Sequence, residues 1–343
     1  MSGDLAARTS VSRTTLSRVA DDADVSISTV SKVLNGRTGV SEATRRRVEE
    51  LLRDHGYNRR NTQLTVAPLV ELVFHEVDSP WSINVVAGVE RAARENGLSM
   101  LLTMSGDRHK PSPDWIEGAM QRRPAGVILV FSDLSADHKH QLRARNIPFV
   151  VVDPSGDPAP DVPSIGTANW SGGYAATRHL IDLGHRDIGI VAGPDDMLCS
   201  TARLSGYRAA LESAGIPVRR ELIVPSGEFH FEDGLRGGGE LLDLAGRPTA
   251  IFASSDLQAL GVYEAARRRG IRIPDDLSVV GYDDVDVARW AGPPLTTVRQ
   301  PLAEMAAEAV RLIVRLREGA HVDHLHVDLE SRLVERESTR RLA

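Results

Sequence analysis

From residue 15 to residue 57 the chain lays out apolar side chains at three- and four-residue spacing in three short blocks. Leu16, Val19, Ala20 and Ala23 form one stripe and predict a first helix. A short turn follows, and Ser26 can cap a second helix by accepting from its free N–H groups. On that second helix Val30, Val33 and Leu34 face inward, which leaves Ile27, Ser28, Thr29, Ser31 and Lys32 outward. Ser41 caps a third helix with Val48, Leu51 and Leu52 inside, and Gly56 stands where a C-terminal stop belongs. Two tightly linked helices braced by a third make a helix-turn-helix arrangement, whose second helix can enter the major groove of DNA. The periodicity also fits any small three-helix bundle.

The wording of the second helix narrows the choice. Val25-Ser26-Ile27-Ser28-Thr29-Val30-Ser31-Lys32-Val33-Leu34-Asn35 agrees at every defined position with V-S-x-x-T-V-S-[RK]-V-[LVI]-N. The segment therefore resembles the headpiece of the lactose-repressor (LacI/GalR) family. The resemblance implies that Ile27 and Ser28 read bases. It implies that Thr29, Ser31, Lys32 and Asn35 place the helix on phosphates and nearby bases, and that Thr15 caps the first helix beside the backbone. Asp24 departs from the family's usual turn glycine, a modest penalty because Asp tolerates left-handed backbone better than most side chains. The family also orders a short hinge helix whose leucine wedges into the minor groove. Val66 stands at the matching position here, and Leu64, two residues earlier, is the candidate wedge.

Composition bounds the remaining choices. A chain of 343 residues suits more than one domain, and 41% hydrophobic with 26% charged residues is ordinary for a soluble globular protein. Residues 1–60 carry 11 Lys/Arg against 8 Asp/Glu, a net +3, and the other residues carry 30 against 39, a net −9. Positive charge thus lies with the small domain, as phosphate contact requires. The single Cys199 excludes an internal disulfide framework. No apolar run reaches spanning length and the first residues lack a secretory core, so a cytoplasmic protein with no membrane role is expected.

Beyond a polar linker, β and α patterns alternate. Apolar runs at 69–74, 98–104, 125–131, 147–152, 187–192, 250–253 and 278–282 are short enough for buried strands. Amphipathic stretches at 85–95, 174–183, 203–214 and 257–269 read as helices. Such alternation predicts parallel sheets with helices on both faces, and the length predicts two similar subdomains. By the resemblance, this is a two-lobed core like that of periplasmic sugar-binding proteins. The expected division is a disordered tail over 1–14, a helix-turn-helix domain over 15–58, a hinge over 59–68 and a core over 69–343. Within the core, one lobe takes 69–165 plus 299–325 and the other 166–298 plus 326–343.

Ligands in open parallel sheets bind beyond the carboxyl ends of strands. Several predicted strands end there in chemistry suited to a polyhydroxylated ligand: Asp153, Ser255-Asp256, Asp283-Asp284, and Trp81 after Asp78-Ser79-Pro80. Carboxylates accept from paired hydroxyls, Arg donates in a fork, and an aromatic face covers the apolar side of a sugar ring. The resemblance assigns effector contacts to Asp153, Arg203, Ser255 and Asp283, with Trp81 and Phe229 as stacking surfaces. Ser255 departs from the family's usual Asn. Taken singly, Asp153 and Asp283 also fit turn caps, Arg203 a surface ion pair, and Trp81 and Phe229 core positions.

Other signals carry less. His321-Val322-Asp323-His324-Leu325-His326 lacks metal-ligand register and reads as a solvated strand or loop. Gly237-Gly238-Gly239 lacks phosphate-loop spacing, and no catalytic motif occurs. No cofactor, no metal and no enzymatic role is expected. The reading is a homodimeric, DNA-binding repressor on a near-palindromic operator, controlled by a mono- or disaccharide effector bound between the lobes. Its alternatives are a solute-binding protein without a DNA role, and a regulator answering to a purine or a sugar phosphate.

Overall fold

A computed structural model describes residues 16–34, 39–54, 67–106, 112, 114–130, 134–154, 156, 159–320 and 325–342. The chain begins with α1 (Leu16–Ala23), α2 (Ile27–Leu34) and α3 (Glu42–Asp54). It continues through β1 (Ala67–Phe74), α4 (Pro80–Glu95), β2 (Ser99–Met104), α5 (Asp114–Arg122), β3 (Pro124–Val130), α6 (Ala136–Ala144), β4 (Phe149–Val152) and β5 (Ser164–Thr167). Next come α7 (Asn169–Asp182), β6 (Ile188–Val191), α8 (Leu198–Ser213), β7 (Ile223–Val224), α9 (Phe231–Leu242) and β8 (Ala250–Ala253). Then follow α10 (Asp256–Arg268), β9 (Ser278–Asp283), α11 (Asp286–Trp290) and β10 (Thr296–Arg299). The last elements are α12 (Leu302–Arg317), β11 (His326–Leu329) and β12 (Arg332–Val334). Two units result, one holding α1–α3 together with α6, the other holding the remaining elements.

In the first unit Val19, Ala20, Ala23, Val30, Val33 and Val48 pack into one small core. Both sequence-read caps are present. The Thr29 N–H donates to Ser26 Oγ at 3.1 Å, and the Thr44 N–H donates to Ser41 Oγ at 3.2 Å. The turn between α1 and α2 passes through Asp24 at φ +55°, a left-handed position that explains why glycine is the commoner choice there. On α6, His140 Nε2 accepts from Arg45 Nη1 at 2.9 Å.

The second unit contains two six-stranded sheets of the same design, as the alternating pattern predicts. Their strand orders are β2-β1-β3-β4-β5-β11 and β7-β6-β8-β9-β10-β12. Every pairing is parallel except β10 with β12. In the first lobe Val70, Leu72 and Phe74 of β1 face a core that α4 and α12 cover with Val85, Val89, Met305, Ala309 and Ile313. The second lobe has a core on each face, with α9 and α10 over one and α7 and α8 over the other. The Gly237–Gly239 run lies on α9, where the helix packs tightly against β6 and α10: a Cβ on Gly238 would meet Val262 Cα at 3.0 Å.

Three expected boundaries shift. β1 starts at Ala67, inside the stretch assigned to the hinge, and pairs there with Pro124. β5 runs to Thr167 rather than 165. β11 belongs to the first lobe, not the second, because His326–Leu329 pair in parallel with Ser164–Thr167 and cover that sheet edge. The chain therefore crosses between lobes at residues 168, 300–301 and 330–331. Leaving β11 across so short a connection, it enters the second sheet antiparallel to β10.

Candidate functional site

The first candidate surface is the outward face of α2. Ile27, at the first position of the helix, is 53% exposed. Ser28 and Lys32 are exposed, and Thr29 and Ser31 half-buried on the same helix. The Ser26 hydroxyl lies 2.7 Å from Ser28 Oγ and 2.9 Å from Thr29 Oγ1, which orders the first turn. Thr15, Asn35 and Leu64 lie outside the described residues, as do the tail 1–14 and the hinge up to residue 66.

The second candidate site is a cleft in the two-sheet unit, with about 700 Å³ of atom-free space open to solvent on one side. Each lining segment follows the carboxyl end of a strand: Trp81 after β1, Asp153 after β4, Arg203 after β6, Phe229 after β7, Ser255 after β8, Asp283 at the end of β9 and Gln300 after β10. The order of each sheet reverses between β1 and β3, or β6 and β8, the switch points at which such folds open a crevice.

All six sequence-read effector residues line this cleft. Trp81 is also core: it sits on the first turn of α4, which Ser79 and Ser82 close with a reciprocal capping box after Pro80. Phe229 reaches the cleft because residue 193 is glycine; a Cβ there would lie 2.1 Å from the ring. Arg203 is held from below. Its Nε donates to Asn169 Oδ1 at 2.8 Å, its Nη1 to the Ser254 carbonyl at 2.6 Å, and its Cζ stands 3.8 Å over the Tyr282 ring. That placement needs α7 and α8 in near contact, and glycine supplies it: a Cβ on Gly173 would lie 2.3 Å from the Arg203 carbonyl oxygen.

The carboxylates are buried and strained. Asp153 has φ +47° and Asp283 φ +117°, left-handed conformations that non-glycine residues adopt mainly where function or surrounding structure demands it. Burial pushes the Asp153 carboxyl up to about 6 against the pull of Arg203. Burial likewise pushes Asp283 up to about 7, opposed by Arg203 and by the Gln300 amide, whose Nε2 donates to Asp283 Oδ1 at 2.6 Å. Asp256 lies behind them, raised chiefly by burial and then by Asp283, and accepts from Thr297 Oγ1 at 2.5 Å and the Val285 N–H at 2.9 Å. Burial raises the Cys199 thiol to about 12, which leaves it a poor nucleophile.

Ser255 is tied on the protein side. It lines the cleft, but its hydroxyl caps α10 by accepting from the Gln258 N–H at 3.0 Å and donates to the Phe229 carbonyl at 2.8 Å. It thereby holds the aromatic loop against the start of α10. Sequence reasoning missed Gln300 and His230. Gln300 was findable by the rule that found Asp153, since it follows a strand end; β10 had simply not been read as a strand. His230 Nε2 lies 2.7 Å from Asp78 Oδ2, a contact across the cleft that joins segments remote in sequence.

Among the described residues no group of three or more His, Cys, Asp or Glu is placed to hold a metal ion. Nor is any described helix long and apolar enough to cross a membrane.

Comparison with known proteins agrees with both surfaces. Residues 15–60 match the family described as bacterial regulatory proteins, lacI family, and residues 177–339 match the periplasmic binding protein-like domain. The HTH-type transcriptional repressor CytR of Escherichia coli is 33% identical over 332 residues, covering 96% of this chain and 97% of that protein. The HTH-type transcriptional regulator CelR of Thermobifida fusca is 37% identical over 338 residues, covering 95% and 98%. A solved CelR–cellobiose complex superposes with a TM-score of 0.73 at 36% identity over 95% of this chain and all of that one. The lac repressor dimer bound to operator and the anti-inducer ONPF gives 0.71 at 26% identity over 95% of this chain and 99% of that one. With near-complete coverage in both directions and the headpiece and core each matched, the chain belongs to the lacI family of bacterial regulatory proteins.

Proposed function

We propose that this protein is a homodimeric transcriptional repressor that acts in the cytoplasm and releases or grips a near-palindromic operator according to a neutral sugar in its cleft. The observation that carries the reading is the exposed first turn of α2, where Ile27 stands beside Ser28 on a helix capped by Ser26. An aliphatic side chain and a small hydroxyl presented together suit the methyl and polar groups of base edges. Thr29, Ser31 and Lys32 flank that turn and take phosphate and neighbouring base contacts; Thr15, Asn35 and the Leu64 wedge enter on the sequence match alone. Two-fold symmetry of the dimer then calls for two half-sites in inverted repeat.

Cleft chemistry favours a hydroxyl-rich, uncharged effector. Asp153 and Asp283 accept hydroxyls, Arg203 donates, and Trp81 and Phe229 give apolar faces. Four carboxylates, Asp78, Asp153, Glu228 and Asp283, line the same space as Arg203, whose Nε and Nη1 already serve Asn169 and Ser254. A phosphate would be repelled there, which weighs against a sugar phosphate. The relative solved with cellobiose bound points the same way. No reaction is assigned to the cleft; its groups bind.

Calorimetry against mono- and disaccharides, purine bases and sugar phosphates tests the effector, and duplex selection from a random pool tests the headpiece. Saturable binding of a neutral sugar is expected, together with enrichment of an inverted repeat. Ser28→Ala relaxes base preference, whereas Lys32→Ala weakens all duplexes about equally and lowers the salt slope by about 1. Tight binding confined to phosphorylated ligands, or no selected repeat, overturns the reading.

A further inference from the structure

The two charged sides of the cleft are connected behind it. Arg203 Nε donates to Asn169 Oδ1 at 2.8 Å, and Asn169 Nδ2 donates to the Thr167 carbonyl at 3.2 Å. Thr167 Oγ1 donates to Gln300 Oε1 at 3.1 Å, and Gln300 Nε2 donates to Asp283 Oδ1 at 2.6 Å. The Gln300 backbone N–H adds a bond to the Asp283 carbonyl at 3.2 Å. All five side chains are 8% exposed or less.

The route of this path is what matters. Thr167 and Asn169 bracket residue 168, where the chain first passes from one lobe to the other, and Gln300 stands at the second passage. The third is tied in as well, since Ser331 Oγ donates to the Ala168 carbonyl at 3.2 Å. We propose that Asn169, Thr167 and Gln300 are positioning residues that relay ligand contact at Arg203 and Asp283 to the segments joining the lobes. The inference rests on the effector-controlled reading above and adds to it the residues that make the control work.

Hydrogen-bond polarity gives the relay its direction. A carboxylate at Asp283 only accepts, so the Gln300 amide must turn Nε2 toward it, and Oε1 then faces the Thr167 hydroxyl. A ligand hydroxyl donated to Asp283 draws on the same carboxylate and loosens its hold on Gln300. Because every member is buried, a change at one end cannot be absorbed by water and passes to the next partner.

Thr167 is the place to cut, because it does not line the cleft. Thr167→Val removes one hydroxyl at nearly constant shape, and Thr167→Ser restores it. The full-length chain is assayed by fluorescence anisotropy on the duplex that the wild type selects, with and without saturating cellobiose or D-ribose. The readout is the ratio of the two duplex dissociation constants. Thr167→Val is expected to shrink that ratio about fivefold, the scale of one lost buried hydrogen bond. Sugar affinity and sugar-free duplex affinity stay within about twofold on the same scale, and Thr167→Ser recovers the wild-type ratio. A Val variant with an undiminished ratio overturns the relay alone, as does a Ser variant impaired as much as Val, or a Val variant that has lost sugar-free duplex binding. A wild type that selects a duplex yet answers to neither sugar overturns the sugar-effector reading, and the relay with it.

Discussion

The two lobes share a strand order and a rule for where ligands go, yet they equip the cleft differently. The first lobe offers the Trp81 face, Asp78 and Asp153. The second offers Arg203, Phe229 and Asp283, each fixed from behind by buried hydrogen bonds to Asn169, Ser254, Ser255 and Gln300. The contrast extends beneath the sheets. Asp284, fully buried, is gripped by both Arg299 and Arg336. The first lobe's buried acid, Glu71 on β1, has one Arg partner, Arg122, and a Thr103 hydroxyl at 2.7 Å. One topology thus supports a wall tied from behind by hydrogen bonds on one side and, on the other, a wall where the Trp81 face stands among Asp78 and Asp153.

Removing Asp284 and Glu71 in turn tests the contrast most severely. Asp284→Ala leaves Arg299 and Arg336 facing each other across a vacant centre, and is expected to cost about 3 kcal/mol or more of stability. Glu71→Ala frees only Arg122, whose side chain is 36% exposed and can turn to water. That change is expected to cost about 1–2 kcal/mol. Urea midpoints for the two variants decide it, and equal losses would show that the lobes are no different in how their charges are held.

How much of this was legible beforehand follows the physics of each signal. α1–α3 were readable because capping by Ser26 and Ser41 and the inward valines are local. The strands β1, β2, β3, β4, β6, β8 and β9 were readable as short apolar runs, near-continuous in the central parallel strands and free of charged residues even in the edge strand β2. β5, β7, β10, β11 and β12 were not, since they are edge-ward or carry Ser, Thr, His and Asp whose burial depends on neighbours remote in sequence. The same limit applies to the site. Asp153, Arg203 and Asp283 stood at strand ends or in a motif, whereas the Gln300 and His230 contacts exist only after the lobes are assembled. Ser255 shows the converse: a residue in the right place whose hydroxyl is already engaged by its own helix and loop.

The pre-organised wall also has a pH signature. Asp283 moves from an ordinary 3.8 to about 7 on folding, with burial the main cause. A carboxyl raised in this way favours the folded state while protonated. Its contribution is complete below pH about 4 and disappears as pH climbs through about 7. Asp283→Asn, which cannot ionise, is therefore expected to gain on the wild type as pH rises from about 5 to 8, by about 1–2 kcal/mol. Asp153, raised to about 6, behaves in the same sense over a lower range. Thermal unfolding of wild type and variant across that range measures the difference. Parallel pH curves would mean that Asp283 is solvated and that the second wall is no more pre-organised than the first.

The smallest effect belongs to the contact between Asp78 and His230 across the cleft. Asp78 comes from the first lobe after β1 and His230 from the second after β7, at 2.7 Å. Their side chains are 29% and 42% exposed, so water screens the attraction, and His230→Ala is expected to change stability by less than about 1 kcal/mol. Its consequence should show in binding instead. If the asymmetric walls alone hold the ligand, losing this link leaves sugar affinity within about threefold, a difference of that same small size. A tenfold loss in calorimetry, with unfolding unchanged, would mean that the first lobe contributes a clasp through Asp78. The contrast between one wall tied from behind and one that is not would then have to give way to two walls that grip together.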